Sequence, residues 1–240
     1  MNLVAIDIGN TRIKIGVFIE DVLSTTLQAN TLHEVQTMLN EIRPERVITC
    51  SVSTPVSEQR SYLSDYNVLY LTPDTPVPVH NRYESKMTLG LDRLAAVVGA
   101  ESLGFEQDVL VIDVGTCITY DLLDRQKNYH GGSISPGIEL RFKSMNDYTK
   151  NLPLITDYQE ANLVGKSTRE ALISGVICGI AAEIQGMIGL FRGSWPDLKV
   201  IMCGGGANRF ESKLKESIFA SPELVLVGLK RILEYNEDKK

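Results

Sequence analysis

The chain has little of what marks a metal site, a disulfide scaffold or a nucleic-acid surface. Three histidines and four cysteines are spread over 240 residues. No two cysteines stand in C-x-x-C spacing, and no histidine is spaced to complete a zinc site. Cys50, Cys117, Cys178 and Cys203 each lie in an apolar stretch, which reads as reduced, mostly buried thiols of a reducing compartment. Positive charge is in the minority: 24 Lys and Arg stand against 30 Asp and Glu, a formal net charge of −6. That balance disfavours nonspecific nucleic-acid binding, which needs basic surface to displace counterions. It leaves room for a local anion site. Asp7 follows only a few apolar residues, too early for the core of a signal peptide. The longest charge-free apolar stretch of helical character, Ala171 to Ala182, is too short to span a bilayer. The expectation is a cytoplasmic protein with no membrane and no nucleic-acid partner.

What is present is an ordinary globular composition, 43% hydrophobic and 22% charged. The length suits one large domain or two of roughly 100 residues. One short phrase is written twice. Residues 3–18 read LVAIDIGNTRIKIGVF, and residues 109–123 read VLVIDVGTCITYDLL. Each copy holds an apolar strand, Asp-x-Gly, a Thr and a second strand, so Asp7 and Gly9 align with Asp113 and Gly115. The repeat predicts two related halves, each presenting a tight polar turn at a strand end.

Along the first half, apolar alternation predicts strands over Leu3–Ile8, Arg12–Phe18, Ser24–Ala29, Arg46–Val52 and Val68–Leu71. Thr31-Leu32-His33-Glu34 has the form of a capping box opening a helix to about Ile42, and a second helix starts near Pro55. Three prolines between Thr72 and Val79 mark a loop, and Gly90–Gly104 reads as a long helix joining the halves. The second half repeats the strand pair and adds a strand over Gln126–His130, a glycine-rich turn GGSISPGI and a polar helix. A long helix over Thr168–Phe191 is apolar on most faces and reads as a buried one. Then come a strand Lys199–Cys203, the triple glycine 204–206, a helix, a strand Leu224–Leu226, a last helix and a solvated tail over Asn236–Lys240. The domain division expected is 1–89 and 90–240.

Several segments have the residue types that phosphoryl chemistry needs. The turn Asp7-Ile8-Gly9-Asn10-Thr11 supplies backbone N–H groups and short side-chain donors able to cradle phosphate oxygens. Asp7 is suited to orient a hydrated Mg²⁺, and Lys14 to reach phosphate. A plain hairpin is the competing reading, since Gly-Asn is common turn chemistry; the repeated Asp argues against it. Gly204-Gly205-Gly206, between a strand and a helix, suits a flat ring or ribose against the backbone, or simply a tight turn. Gly90-Leu91-Asp92-Arg93 opens a helix with a carboxylate beside a guanidinium. Asp92 near a helix N-terminus is expected to stay ionised and to accept a proton, and Arg93 to bind an anion in fork geometry. A surface ion pair is the bland alternative there, as is an N-cap for Thr168-Arg169-Glu170. Tyr83 is an isolated aromatic in a loop.

In this order the motifs DIGNTRIK (7–14), GLDR (90–93), DVGTCITYD (113–121), GGSISPG (131–137), NLP (151–153), GKSTREALISG (165–175) and CGGGA (203–207) resemble the type III pantothenate kinases. Those enzymes are members of the actin-like/hexokinase-like ATPase superfamily. The first turn is shared across the superfamily, whereas the LGxDR, DxGTxxTxD and GGxIxPG motifs are more specific. The resemblance implies an α/β fold of two related ribonuclease H-like/actin-like halves, each a mixed β-sheet flanked by helices. It implies an enzyme that phosphorylates pantothenate with ATP, the first step of coenzyme A biosynthesis. By the same resemblance Asp7, Ile8, Gly9, Asn10, Thr11, Arg12, Ile13 and Lys14 bind ATP, with Thr116. Tyr83, Gly90, Leu91, Asp92, Arg93 and Thr168 bind pantothenate, with Asp92 as the base. Asp113 holds a monovalent cation, K⁺ or NH₄⁺, and Mg²⁺ accompanies ATP. Family members are homodimers with sites at the subunit interface. Lys86 stands where a Pro is common, and Cys117 and Cys203 replace commoner Ala and Thr. Two rivals remain: another small-molecule kinase of the superfamily, and a non-catalytic accessory regulator of gene expression with the same fold.

Overall fold

The computed structural model describes residues 2–159, 161–211, 213–214 and 218–237. Its first three strands, β1 (Asn2–Ile8), β2 (Ile13–Ile19) and β3 (Val22–Ala29), form an antiparallel meander. Helix α1 (Leu32–Ile42) then crosses over to β4 (Arg46–Ser51), and α2 (Val56–Leu63) to β5 (Val68–Tyr70), both added parallel. The resulting order is β3-β2-β1-β4-β5. Four successive residues of β1, Leu3 to Ile6, are buried, as expected of a central strand covered on both faces. One side packs Val4 and Ile6 against Val35 and Leu39 of α1. The start of α1 is fixed as its sequence predicts. Glu34 N–H donates to Thr31 Oγ1 at 3.2 Å, and the Glu34 carboxylate accepts the Asn30 N–H at 2.8 Å. Such a box contributes about 1 kcal/mol. The helix ends at Arg43 in the left-handed region, φ 51°, before Pro44.

Next along the chain come β6 (His80–Asn81), a single 3₁₀ turn at Lys86–Thr88 and α3 (Leu91–Ser102). The second half contains β7 (Asp108–Val114), β8 (Cys117–Leu123), β9 (Asn128–Pro136), α4 (Ile138–Asp147), α5 (Thr168–Ser194), β10 (Leu198–Cys203), α6 (Ala207–Glu211), β11 (Ile218–Ala220) and α7 (Leu224–Glu237). Its strands run β9-β8-β7-β10-β11, with β10 parallel to both β7 and β11. This is the order β3-β2-β1-β4-β5 over again. The duplicated phrase therefore marks a duplicated topology, and the fold is the expected α/β arrangement of mixed sheets flanked by helices.

By its contacts the chain packs as two units. One holds Met1–Glu106, Asp121–Gly131 and Glu223–Lys240; the other holds Gln107–Tyr120 and Gly132–Pro222. Both α3 and α7 fall in the first unit. Glycines explain why they pack there. A Cβ on Gly228 would lie 1.8 Å from the Ala95 carbonyl oxygen, and one on Gly99 would lie 2.3 Å from that of Leu224. The two helices thus meet backbone to backbone.

Three expectations change. Residues 224–226 are not a strand but the first turn of α7, whose buried Leu224, Val225, Leu226, Leu229, Ile232 and Leu233 follow helical rather than alternating spacing. The glycine-rich segment after His130 is not a turn; it continues β9 through Pro136. Gly131 has φ +88°, and a Cβ there would lie 2.7 Å from the Tyr83 ring, so this glycine admits an aromatic ring rather than a bend. Helix α5 is not buried all round. It runs 27 residues to Ser194 and, by length and composition, is apolar enough to cross a membrane, unlike the shorter stretch read from sequence. One face buries Leu172, Val176, Ile177, Ile180, Ile184 and Ile188, while Gly175, Gly186, Gly189 and Leu190 are exposed. Its Glu183 accepts hydrogen bonds from Tyr120 at 2.9 Å, from Ser135 at 2.5 Å and from Arg141. Of the expected tail, Asn236 and Glu237 close α7, and residues 238–240 lie outside the described residues.

Candidate functional site

In the first unit the site begins at one rung across three strands. Lys14 on β2 and Cys50 on β4 are both register partners of Asp7 on β1. The Cys50 thiol donates to Asp7 Oδ1 at 3.3 Å. Burial is the largest influence on Asp7 and raises its pKa from 3.8 to about 6. The Cys50 hydrogen bond and Lys14 pull it down, and the Asp92 carboxylate pushes it up.

Directly after Asp7 the chain turns, with Gly9 N–H donating to the Arg12 carbonyl at 3.1 Å. Ser53 Oγ donates to the Gly9 carbonyl at 3.3 Å and steadies the turn from the end of β4. The side chains of Ile8 and Ile13 are buried, so these residues can offer a ligand only their backbone. Asn10, Thr11 and Arg12 are exposed. The turn borders a cavity of about 630 Å³, shared with the Asn30–His33 segment and Ser53–Thr54.

Gly90 caps α3 without a side chain, and the Asp92 carboxylate folds back over it. Asp92 Oδ1 accepts the Arg93 N–H at 2.8 Å, and a Cβ on Gly90 would sit 2.6 Å from that oxygen. Glycine is therefore demanded by the carboxylate. Burial raises the Asp92 pKa, and the Asp121 charge adds to it; the Arg93 backbone N–H and the Arg93 charge act the other way. The helix N-terminus alone argued for an easily ionised group, but desolvation outweighs it. Leu91 is half-buried beside it.

Arg93 is buried, and its fork is already taken. Nε lies 3.1 Å from both Asp121 oxygens, and Nη2 donates to Asp121 Oδ1 at 2.6 Å. The Tyr129 hydroxyl donates to the same oxygen at 2.7 Å. Burial opposes the Arg93 charge, but the Asp121 carboxylate more than offsets it and holds its pKa above the usual value. Tyr83 is not isolated: its ring centroid lies 5.6 Å from Arg93 Cζ and 6.3 Å from the Tyr129 ring, stacked at 11°. The expected bidentate anion grip of Arg93 is thus used within the protein. Sequence reasoning missed Cys50, Asp121 and Tyr129. The available signal for Asp121 was a charged residue inside the apolar strand CITYDLL, at the last position of the DxGTxxTxD motif.

In the second unit Asp113 is the last residue but one of β7, and Gly115 and Thr116 form the turn into β8. Two other glycine motifs close on that turn. A Cβ on Gly204, φ +85°, would lie 2.2 Å from Asp113 Oδ1, so the backbone passes directly over the carboxylate. Gly206 N–H donates to the Val114 carbonyl at 2.9 Å, and Gly137 N–H to that of Thr116 at 2.9 Å. A Cβ on Gly137 would come within 2.3 Å of the Gly115 oxygen. Gly204 and Gly206 of CGGGA and Gly137 of GGSISPG are explained by this packing, whereas a Cβ on Gly205 would meet nothing within 4 Å among the described residues. Thr168, exposed, is the first residue of α5, but the N-cap is Ser167, whose Oγ accepts the Glu170 N–H at 3.2 Å.

Among the described residues no three His, Cys, Asp or Glu side chains gather into a metal cage. Asp7 is a carboxylate able to orient a hydrated Mg²⁺, an ion that keeps several waters and takes one or two carboxylates. The Asp113 carboxylate beside the Val114 carbonyl offers the oxygen donors a monovalent cation takes.

A family model described as type III pantothenate kinase matches residues 3–189. A type III pantothenate kinase of Phocaeicola vulgatus is 42% identical over 241 residues, covering 99% of this chain and 99% of the relative. One of Cytophaga hutchinsonii is 40% identical over 236 residues, covering 98% and 100%. A solved Campylobacter jejuni structure, described as a conserved candidate transcriptional activator of the Baf family, superposes with a TM-score of 0.66 at 22% identity, covering 98% and 99%. At that identity the likeness is one of fold.

Proposed function

The chain belongs to the type III pantothenate kinase family, and on that footing we propose how its residues carry out the reaction. The activity is phosphorylation of pantothenate by ATP, the first step of coenzyme A biosynthesis. Asp92 is the general base. Its carboxylate takes the proton of the pantothenate primary hydroxyl as that oxygen attacks the γ-phosphorus. The bond from phosphorus to the bridging oxygen breaks, and ADP leaves with its electron pair. The observation that carries this reading is the Asp92 carboxylate folded over Gly90, with a pKa raised by burial and therefore a stronger base than an exposed Asp.

The segment Asp7 to Lys14 holds the ATP phosphates at its Gly9–Arg12 turn, where the Asn10, Thr11 and Arg12 side chains are exposed. Thr116 touches ATP from its own turn. Gly90 to Arg93, Tyr83 and Thr168 hold pantothenate. Asp7 orients Mg²⁺, and Asp113 holds K⁺ or NH₄⁺. When bound, these cations offset negative charge on the phosphates. The protein's own share is positioning and electrostatics, as in phosphoryl transfer generally.

The enzyme works in the cytoplasm as a homodimer, and α5 supports a dimer surface. Gly175, Gly179, Gly186, Gly189 and Gly193 fall on one helical face, and among the described residues nothing lies within 4 Å of a Cβ built on any of them. Each glycine inside a helix costs about 1 kcal/mol against alanine. A close-packed partner helix would supply a reason for five of them.

A pantothenate-dependent ADP-release assay, with and without K⁺, tests the function. Phosphate transfer to pantothenate that depends on Asp92 is expected. ADP release indifferent to pantothenate but stimulated by a sugar or acetate would favour the rival kinases, and no release at all would favour a regulator.

A further inference from the structure

The Arg93 of the acceptor motif is paired with a carboxylate, Asp121, that the reaction as set out does not use. Asp121 is fully buried, and Arg93 nearly so. A buried carboxylate is stable only when paired and hydrogen-bonded. Asp121 Oδ1 accepts from Arg93 Nε, Arg93 Nη2 and the Tyr129 hydroxyl, and Oδ2 accepts from Nε. Tyr129 is itself fully buried on β9, with Tyr83 stacked beside it. Arginine has five N–H donors in a rigid plane. Asp121 occupies the edge formed by Nε and Nη2. Tyr83 lies over the guanidinium, its ring centroid 5.6 Å from Cζ, and its side chain also favours the Arg93 charge.

We propose that Asp121 and Tyr129 are positioning residues of the acceptor site: the Asp121 carboxylate, itself held by the Tyr129 hydroxyl, grips Arg93 by its Nε–Nη2 edge and so sets the guanidinium and the turn bearing Asp92 for the acceptor. The proposal rests on the reading of Gly90–Arg93 as the acceptor-binding segment. Two consequences follow from the geometry. The guanidinium plane is fixed before substrate arrives, so no side-chain ordering is spent on binding. Because Arg93 immediately follows Asp92, the same grip also fixes the first turn of α3, on which the base is mounted. The Arg93–Asp121 pair is neutral as a unit, so it orients the acceptor without drawing anions to the site at long range.

Full-length Asp121→Asn, Tyr129→Phe and Asp121→Glu variants test this, with ATP and pantothenate varied separately. Loss of a hydrogen bond to a charged group corresponds to about 10–100-fold. Asp121→Asn should raise the pantothenate KM by about that factor and leave the ATP KM within about twofold. Tyr129→Phe, which removes a single hydroxyl, should raise it by about 3–10-fold, and it keeps the test open if Asp121→Asn does not fold. Asp121→Glu, which keeps the charge but moves it, should recover part of the loss. A merely structural role would lower Tm and the active fraction with both KM values unchanged, and that result overturns the proposal. A second readout is independent of turnover: the Arg93 Nε–H resonance should be resolved and slow to exchange in the wild type and lost in Asp121→Asn. Its absence from the wild type overturns the grip itself. A wild-type enzyme that shows the resonance but no response to pantothenate would instead refute the acceptor-site reading on which the proposal stands.

Discussion

The Cys50 thiol donates to the Asp7 carboxylate across adjacent parallel strands, with the two residues in register. A thiol is a weak donor for a buried carboxylate. In its absence burial and the nearby Asp92 charge would act on Asp7 with only Lys14 opposing them. The site thus holds two mutually repelling carboxylates, Asp7 and Asp92, each with a raised pKa. Such an arrangement favours ligands that bring positive charge.

The first consequence concerns stability and pH. The Asp7 pKa is about 6 in the folded chain against 3.8 for an ordinary Asp. Between those values the folded state binds more protons, so stability falls as pH rises through this window. The raised pKa of Asp92 acts in the same direction. Asp7→Asn does not titrate there. It should melt about 2–6 °C above wild type at pH 8, after allowance for screening, with the gap closing toward pH 4. ATP-dependent turnover should be lost. Thermal scans across pH check this; a variant less stable than wild type at pH 8 would show that Asp7 is not strained by burial.

Asp92→Asn removes the proposed base while keeping its shape. Turnover should fall by about 10²-fold or more, within the range for losing a general base. ATP affinity, measured by calorimetry, should stay near wild type. In the wild type the acid limb of kcat against pH should lie above the ordinary carboxylate range, since the Asp92 pKa is raised. Near-wild-type turnover in Asp92→Asn rules out the role.

Glycines of α3 and α7 separate function from stability. In Gly90→Ala the new Cβ would meet Asp92 Oδ1 at 2.6 Å, so the carboxylate must swing away while φ −58° still suits alanine. Turnover should drop about tenfold or more with little change in Tm. In Gly228→Ala the new Cβ would meet the Ala95 carbonyl at 1.8 Å, and the helices must separate. A loss of about 1–3 kcal/mol or more is expected, read by urea titration.

The division between what the sequence shows and what it hides follows from range. That the two halves are related was legible because the phrase around Asp7 recurs around Asp113; the strand order they share was not. The start of α1 was legible because Thr31 and Glu34 are neighbours on one turn. The Arg93–Asp121–Tyr129 network was not, because its members come together only when β8 and β9 fold beside α3. Cys50 was hidden for the same reason: it meets Asp7 through the parallel register of β1 and β4, set by a crossover helix. The segment after His130 looked like a turn because glycines usually signal one. Its Gly131 serves the Tyr83 ring instead, a partner that local pattern does not reveal.

The exposed face of α5 gives the proposed dimer a test whose sign differs between the two cases. A Cβ at Gly186 or Gly189 meets nothing within the described residues of the chain. If α5 faces only water, Gly186→Ala and Gly189→Ala should each stabilise the protein by about 0.5–1 kcal/mol, because alanine is the better helix former. If a second α5 packs against it at close range, the added methyl groups collide with the partner backbone, and both substitutions should weaken association. Sedimentation equilibrium reads the mass, expected at twice the 26.6 kDa chain for wild type. The double variant should shift toward the single-chain mass at micromolar concentration, with its Tm becoming more dependent on protein concentration. A wild type that sediments as one chain, or a double variant that dimerises as tightly and melts higher, would remove α5 as the dimer surface.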